Sequence, residues 1–224
     1  PPPLTGWPAA CFDPTRDRML VYSPHNVWAL TFSPTTTWGQ LPASGPAPST
    51  VPGGFAFMDV AADRMLVVGE YEGVRGYGSM EVAALPFSGP LTWQILRPFD
   101  PAPAEITPHD YPSIVFDPKT GRLVQFGGVE MRQLCEPPPP DPCDFIFTYY
   151  SAQDDVNQFP RGASLWAPMP RFGLPHPVVE AIAYDPVNQR TVVVENDSPT
   201  RTYEMPVEGP KPRGFREIGT AGTL

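Results

Sequence analysis

An acidic turn followed by an arginine recurs four times along this chain, and the repeat constrains the fold more than any other feature of the sequence. In each copy the arginine follows the turn aspartate by five residues, and an apolar run follows the arginine. The four turn aspartates are Asp13, Asp59, Asp117 and Asp185. Each run is short, rich in β-branched and aromatic residues, and bounded by Pro, Gly, Asp or Ser, which predicts a strand.

Units of this kind, roughly 45 to 70 residues apart, predict the blades of an all-β propeller. We expect one domain over residues 1–224, with four-stranded antiparallel blades at 7–48, 53–98, 110–170 and 178–220. Proline makes up 34 of the 224 residues and lies between the apolar runs, where it stiffens loops and blocks helices. The sequence therefore predicts no helix.

The third repeat is the longest, and its strands are expected at 113–116, 122–128, 145–150 and 165–169. Residues 129–144 then form the loop between its second and third strands. Across the repeats, one large ring takes a matching place near the fourth strand and is expected to fill the gap between neighbouring sheets. These rings are Trp38, Trp93, Trp166 and Phe215.

The repeated aspartate and arginine are expected to be structural. A turn aspartate accepts backbone N–H groups across a tight turn, and a following proline, present in three of the four copies, presets the first turn dihedral. The arginine opens the returning strand, where its guanidinium can brace the same turn or the neighbouring one. The recurrence of this carboxylate in four equivalent turns therefore does not indicate four active sites.

The third repeat also contains Phe126-Gly127-Gly128 followed by Trp166, and the second keeps Gly69 with Trp93. These residues resemble kelch repeats, in which the second strand ends in a glycine pair and the fourth carries a tryptophan, as in bacterial secreted kelch-like proteins. The resemblance implies the propeller fold of the galactose-oxidase-like central domain and no single chemistry. The first and fourth repeats depart from it, with 23–24 reading Ser-Pro and 195–196 reading Glu-Asn.

Four repeats allow two architectures. The chain is either a four-bladed propeller or part of a larger or incomplete ring. In the second case its outer sheet faces require a cover, because large apolar faces rarely stay exposed. The cover would be an oligomer partner or missing blades supplied by another chain.

The loops between strands two and three, and those between blades, are expected to leave the sheets on one common face. They differ in length and carry the candidate ligand-binding residues Tyr71, Arg75, Tyr77, His25, His109, Asp110, Tyr111 and His176. Tyrosines beside polar groups suit a carbohydrate or protein ligand. His109 and His176 also lie at near-equivalent places in adjacent blades and are candidate metal ligands, although ordinary surface histidines explain them more simply.

Cys135 and Cys143 bracket a proline-rich segment, which predicts a disulfide, with two free thiols as the alternative. A disulfide places the protein in an oxidising compartment: secreted, periplasmic or at the cell surface. Cys11 lies in the first strand and is expected to act as a small apolar residue.

The net charge of −9 argues against nucleic acid as a partner, and no apolar run approaches the ~20 residues that span a bilayer. No catalytic or cofactor motif is evident, so no cofactor is expected. The sequence therefore favours a binding or assembly module with a protein or carbohydrate ligand. The alternatives are a copper-oxidase-like or carbohydrate-active enzyme and a purely structural subunit of a surface assembly.

Overall fold

The computed structural model describes residues 8–23, 26–48, 54–69, 80–98, 113–126, 129–136, 145–152, 156–169, 179–195, 201–205 and 216–220. Regular structure in these segments is β-strand, apart from one 3-10 turn at Val60–Ala62. No helix there is long and apolar enough to cross a membrane. The predicted all-β class is confirmed.

The first two repeats each form a four-stranded antiparallel sheet whose strands lie in chain order. The first sheet contains β1 (Ala9–Asp13), β2 (Arg18–Ser23), β3 (Asn26–Thr31) and β4 (Thr37–Leu41). The second contains β5 (Phe55–Asp59), β6 (Arg64–Gly69), β7 (Glu81–Pro86) and β8 (Gln94–Arg97).

The last two repeats form two more four-stranded antiparallel sheets, and a separate ribbon interrupts the third repeat. The third repeat contains β9 (Ser113–Asp117), β10 (Arg122–Phe126), the ribbon strands β11 (Val129–Glu136) and β12 (Phe145–Ala152), then β13 (Val156–Phe159) and β14 (Ala167–Pro168). The fourth contains β15 (Val179–Asp185), β16 (Arg190–Glu195), β17 (Arg201–Met205) and β18 (Arg216–Thr220). The four predicted four-stranded sheets are therefore present.

One assignment in the third repeat was wrong. Residues 145–150 are not the third strand of the sheet but belong to β12, which pairs with β11 over eight residue pairs. The expected loop at 129–144 therefore contains a strand, and β13 at 156–159 pairs with β10 instead. The physical reason is proximity: the aromatic run 145–150 finds an adjacent partner through a short hairpin, at a lower entropic cost than a distant pairing.

The chain forms two compact units. The first comprises residues 1–74, 78–103 and 161–165. Its core lies between the first two sheets, where Leu20 and Tyr22 of β2 pack with Met65 and Val67 of β6. Apolar residues two apart on each strand supply this core, as expected for sheets packed face to face.

The second unit comprises residues 75–77, 104–160 and 166–224. Its core joins Val124 and Phe126 of β10 to Val193 of β16, with Ile182 and Tyr184 packed against it. The second strands of the first three sheets are largely buried, as their near-continuous apolar sequences predicted, whereas Val192 and Val194 of β16 are only partly buried.

The predicted large rings have three different outcomes. Trp93 and Trp166 are buried, and Trp93 packs edge-on against Tyr22 of the first sheet with ring centroids 5.6 Å apart. Trp38 is only partly buried, so the expectation that it fills a gap between sheets was wrong. Phe215 lies outside the described residues.

Candidate functional site

Each four-stranded sheet has two edges with different connections. Because the strands are antiparallel and adjacent in sequence, the links between strands one and two and between strands three and four share one edge, which we call the turn edge. The link between strands two and three leaves from the opposite edge, which we call the connection edge. This division confirms, within each sheet, the separation of loops expected from the sequence.

The first turn is closed by hydrogen bonds to Asp13. Its Oδ1 accepts from the backbone N–H two residues later at 3.1 Å, and its Oδ2 accepts from Arg18 Nε at 2.9 Å. Arg16 reaches the second turn, where its terminal nitrogens donate to Asp63 at 2.7 and 2.8 Å. The repeated arginine, Arg18, therefore braces its own turn, one of the two roles predicted for it, whereas the neighbouring turn is reached by Arg16, which is not part of the repeat.

The second turn centres on Asp59, whose side chain is fully buried. Its carboxylate accepts from the Ala62 backbone N–H at 3.3 Å and from Arg64 Nε at 3.0 Å. It also accepts from Arg161 Nη2 at 2.6 Å. Two arginines therefore neutralise one buried carboxylate, the arrangement that a buried charge requires.

The two turns of the second unit repeat the pattern with variations. Arg122 Nε lies 3.5 Å from the buried carboxylate of Asp117, and Arg190 Nε donates to Asp185 at 3.2 Å. Asn188 Nδ2 adds a hydrogen bond to Asp185 at 2.7 Å. All four turn carboxylates are thus occupied by groups of their own turns, which identifies the turn edge as structural.

Several groups near the turn edge have shifted pKa values. Hydrogen bonds from Asn188 lower the pKa of Asp185 to about 2, and a hydrogen bond from Arg16 lowers the pKa of Asp63. Burial raises the pKa of the Cys11 thiol to about 12. At neutral pH the two carboxylates are therefore ionised and the thiol is protonated, as expected of groups that hold the structure.

The connection edge, by contrast, differs from sheet to sheet. Two residues link β2 to β3, eleven link β6 to β7, and residues 127–155 with the β11–β12 ribbon link β10 to β13. Loops that vary on a constant scaffold are where propellers and other β-folds carry binding groups. The connection edge is therefore the candidate functional site.

Buried polar residues, which the sequence interpretation missed, lie along this edge. In the second sheet Glu81 begins β7 and Arg97 ends β8, and they are 5% and 3% exposed. In the third sheet Gln125 lies directly opposite Asn157, and both are buried. Gln125 interrupts the apolar run of β10 as a single polar residue, and that interruption was the available signal. Such residues fix the edge from which the variable connections start.

The register of the ribbon sets charged residues of β11 opposite aromatic residues of β12. Arg132 pairs with Tyr149, Leu134 with Phe147 and Glu136 with Phe145.

The sequence-predicted binding residues fall in the connections themselves. Tyr71, Arg75, Tyr77, His25, His109, Asp110, Tyr111 and His176 all lie outside the described residues, as does Cys143, the predicted partner of Cys135. Those assignments stay predictions. Within the described segments, no group of three or more His, Cys, Asp or Glu side chains is placed to hold a metal ion.

Comparison with known proteins gives structural neighbours only. No protein-family model and no curated protein matches the chain. The structure of a putative TolB from Agrobacterium tumefaciens aligns with a TM-score of 0.53 and 10% identity, over 95% of this chain and 61% of its own. The soluble aldose sugar dehydrogenase of Escherichia coli, in its apo-form, aligns with a TM-score of 0.50 and 14% identity, over 96% of this chain and 63% of its own. A glucose dehydrogenase aligns with a TM-score of 0.50 and 11% identity, over 96% and 63%.

These neighbours have propeller-type folds, and at such identities the likeness shows the fold alone. The four four-stranded sheets are the blades of a β-propeller-type fold. The chain spans about three fifths of the length of these neighbours.

Proposed function

We propose that this chain is a kelch-type propeller module for binding or assembly, and that its connection edge takes a protein or carbohydrate ligand. The observation that carries the proposal is the contrast between the two edges. The turn carboxylates are occupied by their own arginines and backbone N–H groups, whereas the connections differ in length and one of them contains an eight-pair ribbon. Variation that is largest at one edge is the pattern of a binding surface on a fixed scaffold.

The chemistry of the connections supports a ligand that offers both rings and polar groups. Tyr71, Arg75 and Tyr77 lie in the link between β6 and β7, and the ribbon register pairs Arg132 with Tyr149. Tyrosine supplies a flat apolar face and a hydroxyl, while arginine supplies directed donors. Sugars and protein hot spots are both bound by such combinations.

The proposed location is an oxidising one: secreted, periplasmic or at the cell surface. Its support is the cysteine pair Cys135 and Cys143, which brackets a proline-rich hairpin connection between β11 and β12. Disulfides in short loops persist in such compartments. The kelch assignment is supported by the glycine pair at 127–128 together with the buried Trp166 of the same repeat.

The test compares binding by the native chain and by the double variant Tyr71→Ala/Tyr77→Ala. Binding is measured on a panel of immobilised polysaccharides and by affinity capture followed by mass spectrometry. We expect the double variant to bind at least about tenfold more weakly, because truncating hot-spot aromatics costs more than about 1 kcal/mol each.

The matched control is Val187→Ala, which removes an apolar side chain 86% exposed on the turn edge. It should bind as the native chain does. Equal affinity of the native chain and the tyrosine variant would remove the β6–β7 connection from the proposed site.

A further inference from the structure

Each of the four turns places one residue in the left-handed backbone region, and that residue always follows the turn aspartate by four positions. Asp17, Asp63 and Gln189 have φ values of 47, 48 and 52°, and the third turn has Gly121 at 68°. Few residues other than glycine adopt this conformation readily, and aspartate is one of them. The backbone of the turn is therefore repeated in all four copies, while the side chain at this position differs.

In the first unit, the left-handed residue of the second turn is bound by the turn of the first sheet. The terminal nitrogens of Arg16 donate to the two carboxylate oxygens of Asp63 at 2.7 and 2.8 Å. Such a two-pronged hydrogen bond fixes both the distance and the orientation of the two groups. It joins the turns of two sheets that share one core.

The second unit contains the same kind of contact. Lys119 Nζ, in the turn of the third sheet, donates at 2.9 Å to Oε1 of Gln189, the left-handed residue of the fourth turn. The acceptor has the same place in its turn as Asp63 has, and the donor again comes from the earlier turn of the unit. We call the contacts Arg16–Asp63 and Lys119–Gln189 the turn links.

The donor is present only in the earlier turn of each unit. Arg16 follows its turn aspartate by three residues and Lys119 follows its own by two. At these two positions the later turns read Ala61-Ala62 and Val187-Asn188, which contain no cation. Each unit therefore has one donor turn and one acceptor turn, and the link has a direction.

Arg16 is held from both sides. Its guanidinium also donates to Asp13 of its own turn at 3.3 Å and lies 5.1 Å from the centre of the Phe87 ring. Phe87 follows β7 of the second sheet, and its backbone N–H donates to the carbonyl oxygen of Asp63 at 2.9 Å. The arginine of the first sheet is thus fixed against two residues of the second, one by charge and one by its aromatic face.

We propose that the turn links determine how the two sheets of each unit are aligned. The shared cores are apolar, and hydrophobic burial has no direction, so shifted arrangements of two sheets can bury similar areas. A directed hydrogen bond at the end of the sheets distinguishes one arrangement from the others. Because Arg16 and Asp63 are 32% and 35% exposed, the link contributes to this choice more than to overall stability. The proposal is independent of the ligand proposed for the connection edge.

Amide hydrogen exchange, measured by NMR on the whole chain, tests the proposal in the first unit. Two backbone hydrogen bonds join the same two sheets outside the turns: Ser44 N–H to Leu91 at 2.8 Å and Trp93 N–H to Ser44 at 2.9 Å. Asp63→Asn keeps a residue that tolerates left-handed backbone but removes the charge that binds Arg16. We expect the Ser44 and Trp93 amides to exchange at least about threefold faster in this variant.

Asp17→Asn is the matched control. Asp17 has the same residue type and the same left-handed backbone as Asp63, and its side chain has no partner among the described residues. This variant should leave both exchange rates at their native values. If Asp63→Asn accelerates only the Phe87 amide and leaves Ser44 and Trp93 unchanged, the link braces its own turn and does not align the sheets, and the proposal is wrong.

Arg16→Met removes the donor and keeps an unbranched side chain beside Phe87. Combined with Asp63→Asn, it should accelerate exchange no more than Arg16→Met does alone, because both changes remove one contact. Effects that multiply would show that the two residues act independently, which contradicts a link between them.

The second unit is tested through its neutral acceptor. Gln189→Glu keeps the size of the side chain and adds a charge opposite Lys119, so it should raise the urea midpoint. The same change in a Lys119→Met background should not raise it. A rise of equal size in both backgrounds, or no rise in either, would show that Lys119 and Gln189 do not form a link in solution.

Discussion

The five-residue spacing between aspartate and arginine works because a tight turn brings the two side chains together. In the first, second and fourth turns the arginine Nε donates to the carboxylate at 2.9, 3.0 and 3.2 Å. The sequence predicted this role, since the residue types and the spacing are both local. It could not show that Asp59 also receives Arg161, because 102 residues separate them.

The lowered pKa values of two aspartates determine the direction in which stability changes with pH. The pKa of Asp185 is lowered from 3.8 to about 2, and the pKa of Asp63 is lowered as well. The unfolded chain therefore takes up protons at a higher pH than the folded chain does. The stabilisation that Asp185 gives is present above pH 3.8 and is lost as the pH falls towards 2, and that of Asp63 is lost in the same direction.

The turn aspartates differ in burial, so replacing them should lower the free energy of unfolding by different amounts. Asp59→Asn should lower the free energy of unfolding by about 3 kcal/mol, because it removes the charge that neutralises two arginines in a buried site. Asp185→Asn should cost less, because that carboxylate is partly exposed. Urea denaturation at pH 7 measures both, and equal losses would contradict a role for burial.

At the scale of elements, the hydrophobic pattern located most strands but misassigned one. Either β12 or β13 could be assigned from the sequence as the third strand of the third sheet. β12, which reads Phe-Ile-Phe-Thr-Tyr-Tyr at 145–150, has the stronger strand pattern. β13 reads Val-Asn-Gln-Phe and is half polar, yet Asn157 is buried opposite Gln125. Propensity cannot identify a strand whose polar residues are buried by tertiary packing.

The ribbon is predicted to be dispensable for folding. Among the described strands, β11 and β12 pair only with each other, and Phe126 and Val156 on either side of the insertion are direct register partners. Replacing residues 129–152 with a short Gly-Ser linker should change the free energy of unfolding by less than about 1 kcal/mol. Urea denaturation measures this.

The same replacement should abolish binding if the ribbon carries the ligand surface. Phe126→Ala is the contrasting variant, because Phe126 is fully buried in the sheet and its truncation should cost about 3 to 5 kcal/mol. A comparable loss on removing the ribbon would mean that the ribbon is part of the folding core.

At the scale of the whole molecule, the sequence predicted the number of sheets but not which faces are covered. Met19 and Met65 have the same neighbours in sequence, Arg before and Leu after, and yet one is partly exposed and the other fully buried. Met65 is covered by packing against the first sheet, and no local pattern encodes that cover. Which residues of a strand are covered is therefore information that only the structure supplies.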